Sequence, residues 1–509
     1  MTRKVTINRL PTGVPGLDEI IGGGLPEFSF NLIAGPPGSG KTMLAHQIMF
    51  ALATPKRPAL FLTVLGEPSI KMLRYQQQFD FFDSDKINHS VHFVNLSEEA
   101  LTGDLAVVLA RIVAEVKKHD PALVFVDSFR SVVLAGTAGA SGATGSNPGN
   151  ELQLFMQQLA MLMTSWHATT FLIGEYFTET DANPVFTVAD GLIWLRQSVQ
   201  RNSMVRKLEI LKMRGQSTLA GLHSFRIGRE GVQVFAPAGA GKQLEPPVEA
   251  TGERVQTGIA RLDEMLGGGL PRGYSMLIAG PSGSGKSVLA SSFLAEGVRR
   301  GETGVLVAFE QRPSPTRNRP MDELIKTGKV GLVDTEGDDI SIDEVLYWLM
   351  KEVRRLKAKR VVIDSLSGFE LKLAPTFRDD FRESMLRMVT TLSREGVTVL
   401  MTSELEDRYS DLRFSPYGTA FLTDAIVVQR YIELDSRLRR VMAVVKVRAS
   451  MHSNELREYS IDANGIHVGD MLTEQEGLLG GRPTRRNEPD AGEAGPAGNG
   501  GRARQTQGT

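Results

Sequence analysis

Cysteine is absent from all 509 residues. Its absence excludes a disulfide framework, a thiolate zinc site, an iron–sulfur cluster and a cysteine nucleophile together. Net charge is almost absent too, with 58 Lys plus Arg set against 59 Asp plus Glu. A chain so balanced lacks the broad basic surface that dominates non-specific DNA affinity, although a local basic strip stays open. No apolar stretch approaches the roughly 18 residues that cross a bilayer, and the start, MTRKVTINRLPTG, lacks the apolar core of a signal peptide. These absences predict an unexported, cytoplasmic protein with no membrane partner. What is present is length for two to four domains at roughly 100–200 residues each. The chain also has a 41% apolar share to fill their cores, and 52 glycines.

Those glycines fall in a pattern that occurs twice. LPTGVPGLDEIIGGGLPEFSFNLIAGPPGSGKT, Leu10 to Thr42, aligns without gaps on VQTGIARLDEMLGGGLPRGYSMLIAGPSGSGKS, Val255 to Ser287, with 19 of 33 positions identical at an offset of 245. Further pairs follow at slightly smaller offsets: PALVFVDSFRSV with AKRVVIDSLSGF, VADGLIWLRQ with LTDAIVVQRY, and LEILKMRGQS with MAVVKVRASM. The slips are those of a duplicated domain whose loops changed length. The expected organisation is a first domain over 1–235, a Pro/Gly/Ala-rich linker over 236–254, a second domain over 255–471, and a disordered, Gly-rich tail over 472–509.

Within each copy, short apolar runs such as FNLIAG, PALFLTV, ALVFVDS, TTFLIGEY and GLIWLR alternate with longer amphipathic segments. Continuous apolar strands separated by helices predict an α/β fold, a mostly parallel sheet covered by helices on both faces. The closing segments, LEILKM with SFRI and VMAVVKV with YSI, read as antiparallel additions.

Two motifs satisfy GxxxxGK[ST] between such a strand and a helix. They are Gly35-Pro36-Pro37-Gly38-Ser39-Gly40-Lys41-Thr42 and Gly280-Pro281-Ser282-Gly283-Ser284-Gly285-Lys286-Ser287. In such a P-loop the glycines let backbone N–H groups curl around the β- and γ-phosphates of ATP. Lys41 or Lys286 neutralises them, and Thr42 or Ser287 offers a hydroxyl to Mg²⁺. A later apolar strand ends in Asp127 in one copy and Asp364 in the other, each followed by Ser. A carboxylate there can hold the Mg²⁺ shell.

Hydrolysis also needs a group that orients or deprotonates the attacking water. In the second copy Glu310 of LVAFEQRP, with Gln311 beside it, ends the strand after the P-loop helix. The same offset puts Leu65 and Gly66 of FLTVLGEP at those places. Glu67 lies two positions on and reaches in only if the strand end is bulged. The two sites are therefore expected to be unequal, the second being the more competent. Near the far end of each copy, Lys212 and Arg214, and Lys446 and Arg448, present two cations on one face of a strand. Such a pair can reach a neighbouring subunit's γ-phosphate as an arginine finger does; the alternative is a solvated strand face.

Tandem P-loop units, each introduced by TG...LDE..GGGLP and closed by K.RG or its variant, resemble the KaiC family within the RecA-like ATPases, over about Leu10 to Val468. The resemblance implies two tandem RecA-like P-loop NTPase domains stacked as a double-ring homo-hexamer, with ATP and Mg²⁺ bound between subunits. It also implies slow ATPase activity and, as in clock members, Ser/Thr autokinase activity in the second ring. By motif match, Gly35 through Thr42 and Gly280 through Ser287 contact ATP. Asp127 and Asp364 are the Walker B acids, Glu310 is the base, and the Lys/Arg pairs act in trans.

Three departures stand out. The family's first ring usually carries two glutamates where this chain has Leu65 and Gly66. The clock members' adjacent Ser-Thr phosphorylation pair falls on Ala420 and Phe421, which leaves Ser415, Thr419 or Thr423 as acceptors. The tail carries no docking helix for a KaiA-type activator, whereas a KaiB-type adaptor on the first ring stays open.

Two other functions compete. A RecA-like DNA-dependent ATPase would place DNA-binding loops near GTAGASGATGSNPGN, Gly136 to Asn150, but that segment holds no Lys, Arg or aromatic residue to neutralise phosphate or stack bases. The repair-type RadA relatives carry a four-cysteine zinc module that this chain cannot build. RRLKAKR, Arg354 to Arg360, reads as a solvated helix face. A largely non-catalytic scaffold, glued by ATP at its subunit interfaces, is the third class.

Overall fold

The computed structural model describes residues 7–64, 69–102, 104–128, 148–177, 184–200, 203–237, 252–309, 312–316, 318–334, 339–378, 381–405, 422–434, 436–472, 475–476 and 484–485. Leu65, Gly66, Glu67, Glu310, Gln311, Ser415, Thr419, Ala420, Phe421 and most of the expected linker lie outside them, as do residues 136–147 of the Gly-rich loop.

The duplicated opening has a structural purpose. Thr12 donates its backbone N–H and its hydroxyl to Asp18 Oδ1 at 2.9 and 2.7 Å, and Thr257 does the same to Asp263 at 2.7 and 2.8 Å. The triple glycine that follows runs at positive φ throughout, 85–119° for Gly22–Gly24, a conformation that side chains with a Cβ rarely adopt. It returns the chain so that Leu25–Pro26 pairs with Arg9–Leu10, and Leu270–Pro271 with Arg254–Val255.

The main sheet of the first half follows. Its elements are β1 (Phe30–Gly35), α1 (Lys41–Leu52), β2 (Ala59–Thr63), β3 (Val91–Asn95), α2 (Leu105–His119), β4 (Leu123–Asp127), α3 (Pro148–Ser165), β5 (Thr169–Glu175), β6 (Gly191–Gln200), β7 (Ser203–Met213), β8 (His223–Gly228) and β9 (Gly231–Val234). The nine strands lie in the order β9-β8-β7-β6-β1-β5-β4-β2-β3. Pairings from β3 through to β6 are parallel, and β6 to β9 add on antiparallel.

The second half repeats this order with β10 (Ser275–Gly280), α4 (Lys286–Arg299), β11 (Gly304–Ala308), β12 (Val330–Asp334), α5 (Ile342–Leu356), β13 (Arg360–Asp364), α6 (Phe381–Arg394), β14 (Thr398–Glu404), β15 (Ala425–Leu434), β16 (Arg437–Val447), β17 (Arg457–Asp462) and β18 (Gly465–Met471). Its sheet reads β12-β11-β13-β14-β10-β15-β16-β17-β18. The expected α/β class with antiparallel closing strands is what folds. Edge strands β3 and β12 are additional. Each borders the sheet on one side only and lacks the continuous apolar run of the central strands.

The central strands are buried throughout and their side chains alternate between the two faces, so each sheet carries two cores. Leu32, Leu62 and Val126 face α2 and α3, whereas Ile33, Phe61, Phe125 and Phe171 face α1. On that second face Phe125 and Phe171 stack at 4.6 Å with 6° between their planes. The halves meet along β8. Ser224 Oγ lies 2.8 Å from Ser341 Oγ, and Arg226 donates to Glu344 and to the Asp339 carbonyl.

Of the expected tail, Leu472 and the paired segments Gln475–Glu476 and Thr484–Arg485 are described, and the rest lies outside the described residues. One expectation changes here. The basic run at Arg354–Arg360 is not wholly a solvated face, because α5 ends at Leu356 and Arg360 opens β13 with only 1% of its surface exposed. Its guanidinium donates to Glu302 at 2.6 Å and to the carbonyls of Gln256 and Phe293, and it stacks over the Phe293 ring. Strand β4 has Leu123 at this place. Arg360→Ala would take one of its two arginine partners from the half-buried Glu302, which keeps Arg272, and remove a donor from two carbonyls, so it should destabilise the second half by about 1–3 kcal/mol. Urea unfolding would show an early transition for that half, with the first half unmoved.

Candidate functional site

Both P-loops sit where the central strand ends. β1 runs into Gly35, the loop turns through Gly40 at φ 102°, and α1 starts at Lys41. β10, Gly285 at φ 98° and α4 from Lys286 repeat the turn. A left-handed residue at that point is what lets the loop swing into the helix, which explains glycine there in both copies. Lys41 Nζ folds back to the Pro36 carbonyl at 2.9 Å, and Lys286 Nζ to the carbonyls of Gly280 and Pro281 at 2.8 Å each. Gly35, Pro36, Pro37, Gly38 and Ser39, with Gly280 through Ser284, form the loops themselves.

The strand-end acids stand beside the loops. Thr42 Oγ1 donates to Asp127 Oδ2 at 2.7 Å, which brings together the hydroxyl and the carboxylate singled out for Mg²⁺. These are hard oxygen donors. Among the described residues no group of three or more His, Asp or Glu side chains converges as a metal site of its own. A Mg²⁺ ion held by one carboxylate, one hydroxyl and the phosphates of a nucleotide suits this donor set. In the second half Ser287 and Asp364 line one cavity, and Asp364 accepts from Thr402 Oγ1 at 2.5 Å, where the first half has Ile173. The peptide bond after each acid, Asp127–Ser128 and Asp364–Ser365, is cis.

The loops rest on different supports. Tyr459 on β17 donates its hydroxyl to the Ser284 carbonyl at 2.5 Å, and Ser284 Oγ reaches Gln429 Oε1 on β15 at 3.0 Å. By the repeat register the first half has Phe225 and Leu195 there, and Ser39 Oγ has no partner among the described residues. Gln429 and Tyr459 are absent from the sequence-derived set because no motif marks them; only the strand pairing brings them under the loop.

Beside Ser287 and Asp364 lies a cavity of about 620 Å³, bounded by α4, the short helix Arg319–Lys326 and the β17–β18 turn. Ser291, Ser292 and Ala295 leave it open. The matching first-half residues are His46, Gln47 and Phe50, all buried. His46 packs 4.6 Å from Phe61, and burial pushes its pKa down to about 4, so the ring is neutral.

The Lys/Arg pairs lie at the other end of the sheet. Arg214 is paired with Asp190 at 3.0 Å, and Asp190 accepts from the N–H of Phe30, the first residue of β1. Arg448, Asp424 and Ser275 repeat this arrangement. Lys212 and Lys446 donate to the carbonyls of Thr187 and Thr423. With roughly 3.3 Å per residue, β1 separates Arg214 from its own P-loop by roughly 16 Å. These cations therefore do not serve the P-loop of their own half. Thr423, one of the hydroxyls left as a phosphate acceptor, is fully buried.

Electrostatics single out Asp127. Burial pushes its carboxyl up to about 6, against the pull of the Thr42 hydrogen bond and of Lys41. Lys41 is itself lowered by burial, opposed first by Glu175 and then by Asp127. Glu175 ends β5 level with Gly35 and was not anticipated from the sequence. Because the folded chain holds the Asp127 proton more tightly than the unfolded chain, no cost arises below about pH 4. The cost grows as pH rises and is complete above about pH 6, where two units correspond to about 3 kcal/mol. Asp127→Asn keeps an acceptor for Thr42 and removes that charge. At pH 7 it should stabilise the nucleotide-free first half by up to about 3 kcal/mol while abolishing stabilisation by added Mg²⁺–ATP, as read from unfolding midpoints with and without nucleotide.

Comparison with known proteins places this geometry. The family model described as "ATPase: KaiC" matches residues 10–239 and again 255–473. The chain is 28% identical over 493 residues to circadian clock oscillator protein KaiC 1 of Synechocystis sp. PCC 6803, covering 94% of this chain and 92% of that protein. It is 27% identical to KaiC of Picosynechococcus sp. PCC 7002, covering 94% and 93%, and 26% identical to KaiC of Prochlorococcus marinus MIT 9313, covering 94% and 96%. With the family model matched on both halves, over sheets of the same strand order, the chain belongs to the KaiC family of ATPases.

Proposed function

We propose that each half binds ATP with Mg²⁺ at its P-loop and that the chain works as a double-ring hexameric ATPase acting through protein partners. The observation that carries this is the joining of Thr42 to Asp127 at 2.7 Å beside Lys41, on a scaffold that recurs at Ser287, Asp364 and Lys286. In the first half the loop N–H groups and Lys41 bind the triphosphate, and Thr42 and Asp127 hold the metal. Lys286, Ser287 and Asp364 do the same in the second half, whose adjoining cavity of about 620 Å³ receives the nucleoside. The metal, when bound, withdraws charge from the phosphate oxygens. Glu310 orients and deprotonates the attacking water. Lys212 with Arg214, and Lys446 with Arg448, complete the sites of a neighbouring subunit. Their distance from their own loops supports that role.

Relatives named as clock oscillators support signalling through partners, with a KaiB-type adaptor on the first ring. Clock-type phosphorylation is not available at Ala420 and Phe421. With Thr423 buried, autophosphorylation in the second half falls to Ser415 or Thr419. In a chain carrying Lys41→Ala, so that only the second P-loop turns over, Glu310→Gln should lower phosphate release by roughly a hundredfold or more while ATP binding stays intact, the general-base contribution being about 10²–10⁴; undiminished release rejects the assignment. Labelled ATP followed by phosphosite mapping checks the second expectation. Modification at Ser415 or Thr419 establishes an autokinase, and an unlabelled chain restricts the activity to hydrolysis.

A further inference from the structure

The two halves end their strands in step. The Val64 N–H donates to the Asp127 carbonyl at 2.8 Å, and the Phe309 N–H to the Asp364 carbonyl at 3.0 Å. The next residue is Leu65 in one half and Glu310 in the other. With β2 and β11 in equal register, no slip before this point brings an acid to the first half. Glu67 follows only beyond Gly66.

A different carboxylate stands on the other flank of Asp127. Strand β5 lies between β1 and β4, that is, between the P-loop and the Asp127 strand. Its last residue, Glu175, is the register partner of Gly35, and the following N–H, of Tyr176, donates to the Gly35 carbonyl at 3.2 Å. Neighbouring parallel strands are about 4.8 Å apart, so the backbone of Glu175 is one strand from the loop mouth. Side chains alternate along β5, and Ile173 packs on the face covered by α1. Glu175, two residues on, shares that face with Asp127 and with the helix that carries Lys41 and Thr42. Its side chain is half-buried, and its charge acts on both Lys41 and Asp127. The matching residue of the second half, Glu404, is exposed. There Glu310 is present in the sequence.

We propose that Glu175 is the base of the first half, accepting the proton of the water that attacks the γ-phosphorus of ATP held by Gly35–Thr42. The water oxygen bonds to phosphorus, and the bond from phosphorus to the β–γ bridging oxygen breaks. ADP leaves with that oxygen. The proton taken by Glu175 passes to the released phosphate. The inference rests on the P-loop being an ATP site, and it makes the first half a hydrolase with its acid on a different strand from that of the second.

The test uses the full chain carrying Lys286→Ala, so that only the first P-loop turns over. ATP binding and phosphate release are measured separately, each against pH. Glu175→Gln is expected to lower the release rate by about a hundredfold or more with ATP affinity changed by less than about threefold, and to flatten the acidic limb of the rate profile. Glu175→Asp, which keeps a carboxylate, should retain part of the rate, and this second variant guards against a folding defect in the first. The proposal is overturned by an unchanged rate in Glu175→Gln, or by tighter ATP binding without loss of rate, which would make Glu175 a mere neutraliser of Lys41. It is also overturned if Glu67→Gln, in place of Glu175→Gln, stops turnover, or if the Lys286→Ala chain binds ATP and releases no phosphate. Failure of that chain to bind ATP at all would instead refute the P-loop as a nucleotide site, and the inference with it.

Discussion

Everything at the two sites depends on parallel strands held in register, with their ends at one edge of a sheet. Gly35, Glu175, Asp127 and Thr63 close four neighbouring strands of the first half, and the helix that starts at Lys41 covers the face they share. A parallel sheet gathers its strand ends in this way because each crossover helix returns the chain to the same starting edge, and ligands of open α/β sheets bind at those ends. The chemistry at each position is then decided by single residues. The scaffold supplies only the place.

The duplication shows how far that separation goes. Strand order and the threonine–aspartate clasp before the triple glycine are the same in both halves, yet the surroundings of the loops diverge. Under the second loop lie Tyr459 and Gln429, which satisfy the carbonyl and hydroxyl of Ser284. Under the first lie Phe225 and Leu195, which offer packing and no hydrogen bond. Beside the second loop, Ser291, Ser292 and Ala295 leave space; beside the first, His46, Gln47 and Phe50 fill it. The neutral, buried His46 belongs to this packing rather than to chemistry, since a ring so desolvated resists protonation. Sequence identity is thus high where the backbone needs glycine or a clasp, and lost among the side chains that lie under and beside the loops.

Much of this was legible in the chain itself, and the reasons are specific. The repeat, the P-loops and the acids Asp127 and Asp364 are local motifs whose residues are adjacent in sequence or end an apolar run, so spacing reveals them. The α/β class followed from runs that are apolar on both faces. Strands β3 and β12 escaped because an edge strand carries a weaker apolar signal. Arg360 escaped because a charged residue in a basic run looks solvated until Glu302 and two carbonyls are seen around it. Glu175, Gln429 and Tyr459 escaped for a common reason. Each gains its neighbours from strand pairing across more than a hundred residues of sequence, and no spacing rule encodes that.

The same alternation that sorts side chains in the cores explains how the halves are joined. Among the described residues, none of the four large cores extends from one half into the other. The contact between halves runs along β8, with Gln200–Thr376, Lys207–Phe377 and Phe235–Tyr347 beside it, and the Arg226–Glu344 pair in it is partly exposed, a setting in which ion pairs are worth only about 0–1 kcal/mol. The strand itself is the stronger link. Phe225 and Ile227 point to the first P-loop, where a Cβ on Gly40 would meet Ile227 at 2.7 Å, and Ser224 and Arg226 point the other way, to Ser341 and Glu344. Ser341 caps α5, and Ile340 before it bridges to Leu373, just after the short helix Leu366–Lys372 that follows Asp364. One strand therefore supports the first phosphate loop with its odd-numbered residues and holds the second half with its even-numbered ones. A backbone so placed cannot be displaced on one face without being displaced on the other.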